Sequence, residues 1–93
     1  MNHVIRHLPA SHRFATEVDG HTGYVEYQPQ GEVIAITHTI VPSEIGGRGI
    51  AAELVRAALE HAREHGLKID PQCSYAASYL DRHAEYADLR KTD

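Results

Sequence analysis

The sequence is poor in several features that would indicate a particular class of protein. Cys73 is the single cysteine among 93 residues, so no disulfide can form within the chain and a reducing compartment is expected. The nine Lys and Arg residues form no cluster and are outnumbered by thirteen Asp and Glu, which excludes the basic footprint of a nucleic-acid-binding protein. No apolar run is long enough for a signal peptide or a membrane span. We therefore expect a cytoplasmic protein without a nucleic-acid or membrane partner.

What is present fits one small globular domain. The apolar content of 42% and the charged content of 24% are ordinary for a folded protein. A chain of 93 residues builds one core and has no second lobe to close over a substrate, so any site should be a shallow cleft. We treat 1–93 as one domain, with 1–10 as a lead-in of unassigned structure and 90–93 as a polar tail. The oligomeric state, monomer or weak dimer, stays open.

Alternating patterns predict an antiparallel hairpin in the first third of the chain. Residues 13–18 alternate between apolar and polar positions, as a half-buried strand does. The pair Asp19-Gly20 favours a tight turn, because glycine accepts the positive φ that such a turn needs. The returning strand is expected over 21–28.

A third strand is predicted over 33–41, after a second turn over 29–32. It is apolar on both faces, which is typical of a strand in the middle of a sheet. One face is assigned Ile34, Ile36, His38 and Ile40.

The pattern changes to a helical period after the third strand. Residues 48–65 carry an apolar stripe and should form a helix that Gly66 ends. A short strand over 67–70 then has to return parallel to the third strand through a right-handed crossover. Pro71 should stop this strand, and a second helix is expected over 74–82.

Three glycines stand where the first helix begins. Gly46, Gly47 and Gly49 leave backbone N–H groups uncovered, so an anion can approach them without meeting a Cβ atom, and this predicts a phosphate site. A P-loop is excluded because no Gly-Lys-Ser/Thr follows. The dinucleotide fingerprint G-x-G-x-x-A is matched at 47–52, with Asp70 about 20 residues onward, but the three antiparallel strands before it do not suit that fold. It remains a second alternative.

The segment HTIVPSEIGGRGIAAELVRAALEHAREHGLKI, residues 38–69, resembles the central motif of the GNAT superfamily of acetyl-CoA-dependent N-acetyltransferases. The patterns HT-x-VP at 38–42 and P-x-CSY at 71–75 are similar to those of the minimal single-domain GNAT-like proteins. The resemblance covers about 14–89. Two positions depart from it: Gly46 stands where the family has Arg or Gln, and Ile40 stands where many relatives have Glu.

This resemblance implies an α+β fold of three α/β/α layers, with a mixed sheet, an antiparallel meander and a βαβ crossover. It implies transfer of an acetyl group from acetyl-CoA to an amine acceptor, which is a small molecule or a protein. Arg48 would compensate for the donor lost at Gly46. The expected coenzyme A contacts are Ile40, Val41, Gly46, Gly47, Arg48, Gly49, Ile50 and Ala51.

Three residues are candidates for catalysis, each with a simpler structural explanation. Cys73 precedes a helix, where unpaired amides stabilise a thiolate, although a free cysteine usually packs as a small apolar residue. His38 is the candidate base in the absence of the glutamate, and Tyr79 is the candidate acid for the departing thiolate. His61 and His65 share a helix face without a third ligand, so no metal site is expected. A non-catalytic module that binds coenzyme A or a partner is the alternative function.

Overall fold

Five strands form one sheet in the order in which they occur along the chain. The computed structural model describes residues 3–92, and the strands β1 to β5 lie side by side in that order. The first four pair antiparallel and β5 pairs parallel to β4. The α+β class, the mixed sheet, the meander and the βαβ crossover are therefore confirmed. The strands are β1 (Arg6–Leu8), β2 (Arg13–Val18), β3 (His21–Gln30), β4 (Val33–Ile40) and β5 (Lys68–Pro71).

Two α-helices follow the two parallel strands. Helix α1 (Ile50–His65) connects β4 to β5, and helix α2 (Ser74–Arg82) follows β5. Helix α1 ends where Gly66 takes a positive φ of 68° and its N–H bonds to the carbonyls of Ala62 and Arg63, as the sequence predicts. The apolar stripe of α1 is buried as predicted, at Ile50, Leu54, Val55, Ala58, Leu59 and Ala62.

The core lies between the helices and one face of the sheet, which we call the inner face. It carries Phe14, Val25 and Tyr27, all buried. Helices α1 and α2 contact one another as well as the sheet, so both lie on this face and the described chain has two layers instead of the three that the resemblance implies. The opposite, outer face is more polar, because Arg13 lies 4.0 Å above the ring of Tyr24 and next to Glu26 on it.

The lead-in contains a strand that the sequence pattern does not reveal. Strand β1 pairs with β2 from Arg6 opposite Ala15 to Leu8 opposite Arg13. Between these pairs, His7 stacks on Phe14 with ring centroids 4.3 Å apart. A three-residue strand with one apolar residue has no detectable period, so pairing to β2 rather than local propensity determines it.

The second turn is shorter than predicted because Pro29 belongs to β3. Pairing of β2 to β3 ends at Arg13 opposite Glu26, so beyond this point β3 is an edge strand on that side. Proline lacks the N–H that an inner strand would use, and an edge position tolerates this. Pro29 pairs with Ile34, and the turn is confined to 31–32.

A β-bulge in β4 corrects the predicted face of His38. Tyr27 pairs with Ile36, while the preceding Glu26 pairs with His38, so Thr37 is an extra residue in β4. An extra residue reverses the alternation of side chains beyond it. His38 and Ile40 therefore lie on the outer face with their partners Glu26 and Tyr24, and not with Ile34 and Ile36.

The last third of the chain also differs from expectation. Residues Ala84–Leu89 form a 3₁₀ helix that buries Tyr86 and Leu89. The predicted polar tail is partly ordered, because Arg90 pairs with Ile69 at the edge of β5.

Candidate functional site

The glycine turn at the start of α1 leaves amide groups exposed. Gly47 and Gly49 have positive φ angles of 76° and 75°, which side chains rarely adopt. A Cβ atom added at either glycine would meet nothing within 4 Å, so the space in front of the turn is open. Gly49 is the N-cap of α1 and supplies no side chain to bond the first-turn amides, so these can bind an anion. The helix begins at Ile50, two residues later than predicted.

Arg48 lies between these two glycines and is already engaged. Its guanidinium donates to the carboxylate of Asp19 at 2.7 Å, and both side chains are exposed. Asp19 belongs to the turn between β2 and β3. The tip of this hairpin therefore reaches the glycine turn.

The two parallel strands separate at the end where both helices begin. Pairing of β4 with β5 ends at Ile36 opposite Pro71, whereas pairing of β4 with β3 continues to Ile40. The N–H groups of Gln72 and Cys73 both donate to the carbonyl of Ile36, which turns the chain away from β4. Among residues 3–92, no strand pairs with the β5 side of β4 beyond Ile36. Its backbone groups there are available to a ligand.

Cys73 lies at this separation. It is the N-cap of α2, and its half-buried sulfur accepts a hydrogen bond from the N–H of Ala76 at 3.4 Å. The hydroxyl of Thr39 lies 3.3 Å from the same sulfur, and either atom can be the donor. Thr39 follows the bulge and pairs with Val25, so it lies on the inner face. A cysteine here has two hydrogen-bonding groups on its sulfur, which an apolar packing role does not need.

His38 is exposed and lies on the outer face, opposite the face of Thr39. It therefore stands next to the separated strands but across the sheet from Thr39. Its neighbour Ile40 is 45% exposed and Val41 is half-buried. These three residues occupy the free end of β4.

Tyr79 lies deeper in α2. It is 3% exposed, and its ring stacks on His83 with centroids 3.9 Å apart. It lies six positions after Cys73, about 9 Å along the helix axis. Burial raises the pKa of Tyr79, so the phenol stays protonated at neutral pH. A protonated phenol is a competent acid, although the structure does not bring it next to the thiol.

Carboxyl ends of parallel strands meet at one edge of a sheet. The glycine turn follows β4 and Cys73 follows β5, so the predicted anion site and the predicted nucleophile lie at the same end of the sheet. Sequence reasoning missed two participants, Thr39 and Asp19. Thr39 had a signal, because it belongs to the HT-x-VP pattern, but its contact with Cys73 depends on the bulge.

Other features of the described chain lie elsewhere. A surface cavity of about 430 Å³ is lined by β1 and β2 residues together with Val4 and Thr22, and it lies on the strands farthest from β5. Within 3–92, no three His, Cys, Asp or Glu side chains are placed to hold a metal ion. None of the helices in this part of the chain is long and apolar enough to cross a membrane.

The topology and the separated parallel strands are those of the GNAT fold. Residues 13–89 match the family described as GCN5-related N-acetyl-transferase. The chain belongs to this family. Both findings support acyl transfer in general.

Individual relatives agree with this assignment. The solution structure of a GCN5-like protein of Staphylococcus aureus, a proposed N-acetyltransferase, superposes with a TM-score of 0.76 and 31% identity, covering 99% of this chain and 91% of that one. Protein NATD1 of chicken and of mouse is 40% identical over 48 residues, which is 52% of this chain and 44% of each relative. Human NATD1 is equally identical, with 42% of its length covered. The match thus spans less than half of the NATD1 proteins.

Proposed function

We propose that this protein transfers an acetyl group from acetyl-CoA to an amine. One observation carries the proposal: β4 and β5 separate so that a thiol held by Thr39 lies at the same sheet edge as an open glycine turn. A family member with these two features has a site for the phosphates of acetyl-CoA and a thiol that can receive its acetyl group. The single cysteine fits a cytoplasmic location.

The phosphate end of the coenzyme would bind at residues 46–51. The amides of the first helical turn point toward the open space, and the positive end of the helix dipole favours an anion there. Gly46 uses its own N–H to bond Ser43, so the later residues of the turn supply the donors.

The pantetheine arm would extend along the free edge of β4. Its two amides can pair with backbone groups near Ile40 and Val41, as an added strand does. Because pairing with β5 ends at Ile36, this edge is open over the remaining residues of β4. The thioester would then reach the Thr39–Cys73 contact.

Cys73 would receive the acetyl group. Its thiolate attacks the thioester carbonyl carbon, a new C–S bond forms, and the bond from that carbon to the coenzyme sulfur breaks. The proton of the Cys73 thiol ends on the departing coenzyme thiolate. An amine nitrogen then attacks the acetyl-cysteine, the C–N bond forms, the bond from the acetyl carbon to the Cys73 sulfur breaks, and the thiolate of Cys73 is restored. Exchange between two thioesters is nearly balanced in free energy, so proximity is the main requirement.

His38 would take the proton of the attacking amine, from the outer face of the sheet. The acceptor would approach from that side, where His38 and Ile40 are exposed. Replacement of His38 by Gln should slow acetyl transfer while coenzyme binding is kept. A His38→Gln protein that transfers acetyl groups at the unmodified rate would exclude this role.

A non-catalytic coenzyme-binding module is the second candidate. One observation favours it: within the described chain, the hydrogen-bonding partners of the Cys73 sulfur are a hydroxyl and an amide, and neither is a base. Ile40 also stands where many relatives carry a glutamate. Release of free coenzyme A from acetyl-CoA in the presence of a panel of amines separates a transferase from such a module.

Coenzyme A binding is tested by thermal unfolding. A ligand that binds the folded state raises the melting temperature, so coenzyme A should raise it and NAD should not. Gly49→Asp places a carboxylate in the turn and should abolish the shift. Gly31→Asp is the matched control, because Gly31 has a similar φ of 67° and open space but lies in the turn between β3 and β4. Equal stabilisation by NAD would favour the dinucleotide alternative instead.

A further inference from the structure

The contact between Asp19 and Arg48 occupies a guanidinium that the proposed coenzyme site needs for a phosphate. Arg48 is the one cation within the glycine turn, and the carboxylate of Asp19 holds it at 2.7 Å. The guanidinium prefers a phosphate, to which it can donate two parallel hydrogen bonds.

The pair is weak enough to exchange. Its side chains are 44% and 67% exposed, and an exposed ion pair changes an equilibrium constant by about fivefold at most. Asp19 itself is held in place by its turn, since it adopts a positive φ of 52° and Gly20 follows with 77°. The acid therefore stays at the hairpin tip while the long arginine side chain can move.

We propose that Asp19 is an intramolecular competitor for Arg48, and that coenzyme binding transfers the guanidinium from the Asp19 carboxylate to the pyrophosphate. Asp19 thereby sets the affinity for the coenzyme, acting through Arg48. This inference rests on the proposed function, because it requires coenzyme A at the glycine turn. It adds a positioning residue from the β2–β3 hairpin.

Asn is the informative replacement for Asp19. It accepts a positive φ, and Asn-Gly is the preferred pair of a tight hairpin turn, so the fold is kept while the charge is removed. Calorimetric titration with coenzyme A should give a Kd about two- to fivefold lower for Asp19→Asn than for the unmodified protein. Arg48→Gln should raise the Kd. Adding Asp19→Asn to Arg48→Gln should not lower the Kd again.

A charge-matched control separates this exchange from a change of net charge. Glu17→Gln removes one exposed carboxylate from the strand that leads to the same turn, two residues from Asp19. It should leave the Kd unchanged. The gain from Asp19→Asn should also persist with 3′-dephospho-coenzyme A, because the pyrophosphate is the group that Arg48 takes.

The outcomes distinguish a failure of the competition between Asp19 and the coenzyme from a failure of the proposed function. Coenzyme A binding by the unmodified protein with no gain in Asp19→Asn overturns the competition alone. So does an equal gain in Glu17→Gln, or a gain that survives in Arg48→Gln. A gain lost with the dephospho-coenzyme overturns the assignment to the pyrophosphate. An unmodified protein that does not bind coenzyme A removes the proposed function, and the competition with it.

Discussion

The hydroxyl of Thr39 lies 3.3 Å from the sulfur of Cys73, although the two residues are 34 positions apart. The contact joins the free end of β4 to the N-cap residue of helix α2. It forms because the bulge at Thr37 places Thr39 on the inner face, toward the helices. The thiol thus has a hydroxyl on one side and a helix amide on the other.

Thr39→Val removes this hydroxyl without changing the shape of the side chain. If the hydroxyl stabilises the thiolate, acetyl transfer should slow about ten- to 150-fold, since a hydrogen bond to a charged group is worth about 1.5–3 kcal/mol. Coenzyme binding should be unchanged. Thr37→Val is the matched control, because that hydroxyl bonds to the carbonyl of Glu26 on the neighbouring strand. Equal rates for Thr39→Val and the unmodified protein would show that the contact only packs the strand.

Gly23 lets the start of α1 approach the sheet. A Cβ atom at this position would lie 3.4 Å from Ile50 and 3.6 Å from Leu54, which is ordinary contact. Gly23→Ala should therefore fold with nearly unchanged stability, whereas Gly23→Val should lose about 1–3 kcal/mol by overpacking. Urea unfolding measures both. Because α1 begins at the glycine turn, Gly23→Val should also weaken coenzyme binding. Equal stability of the two variants would mean that α1 moves freely on the sheet.

A histidine cluster should make stability depend on pH. His7 stacks on Phe14, and its ring centroid lies 4.6 Å from that of His61. Burial and the neighbouring charge of His65 lower the pKa of both His7 and His61, with Glu64 opposing this at His61. Because the pKa is lower in the folded protein, the unfolded chain binds protons at a higher pH than the folded protein does. Stability is therefore complete above about pH 6.5 and falls as the pH drops below it.

The measurement for this cluster is the melting temperature as a function of pH. His61→Phe keeps the aromatic contact and removes a titrating group, so its melting temperature should fall less steeply below about pH 6.5 than that of the unmodified protein. His21→Gln is the control, because His21 lies four residues along β3 from Val25, the partner of Phe14, and so about 13 Å from the cluster. Parallel curves for His61→Phe and the unmodified protein would contradict the assignment.

The elements with a local signal could be predicted from the sequence. Helix α2 has the predicted bounds, 74–82, since its apolar period is clear and Cys73 caps it. The β2–β3 hairpin follows from Asp19-Gly20, which takes the expected positive φ angles. The glycine turn was also predictable, because three glycines before a helix favour a turn with positive φ angles, as Gly47 and Gly49 adopt.

Features that depend on pairing between distant residues could not be predicted. The bulge at Thr37 has no glycine or proline to mark it, and one extra residue was enough to move His38 to the other face. The Asp19–Arg48 contact requires the hairpin tip to reach the helix start, which no period in the sequence encodes. Strand β1 exists because β2 offers it an edge.

The intact mass of the protein, mixed with acetyl-CoA and then with an amine, tests the central claim most directly. We expect one acetyl group on the protein before the amine is added, its loss afterwards, and an equal amount of acetylated amine. Cys73→Ser should bind coenzyme A and gain no acetyl group, because serine is a poor nucleophile without an adjacent base. Acetylated amine formed at the unmodified rate by Cys73→Ser would exclude the covalent route. A protein that binds coenzyme A yet yields neither acetylated protein nor acetylated amine would contradict acetyl transfer itself.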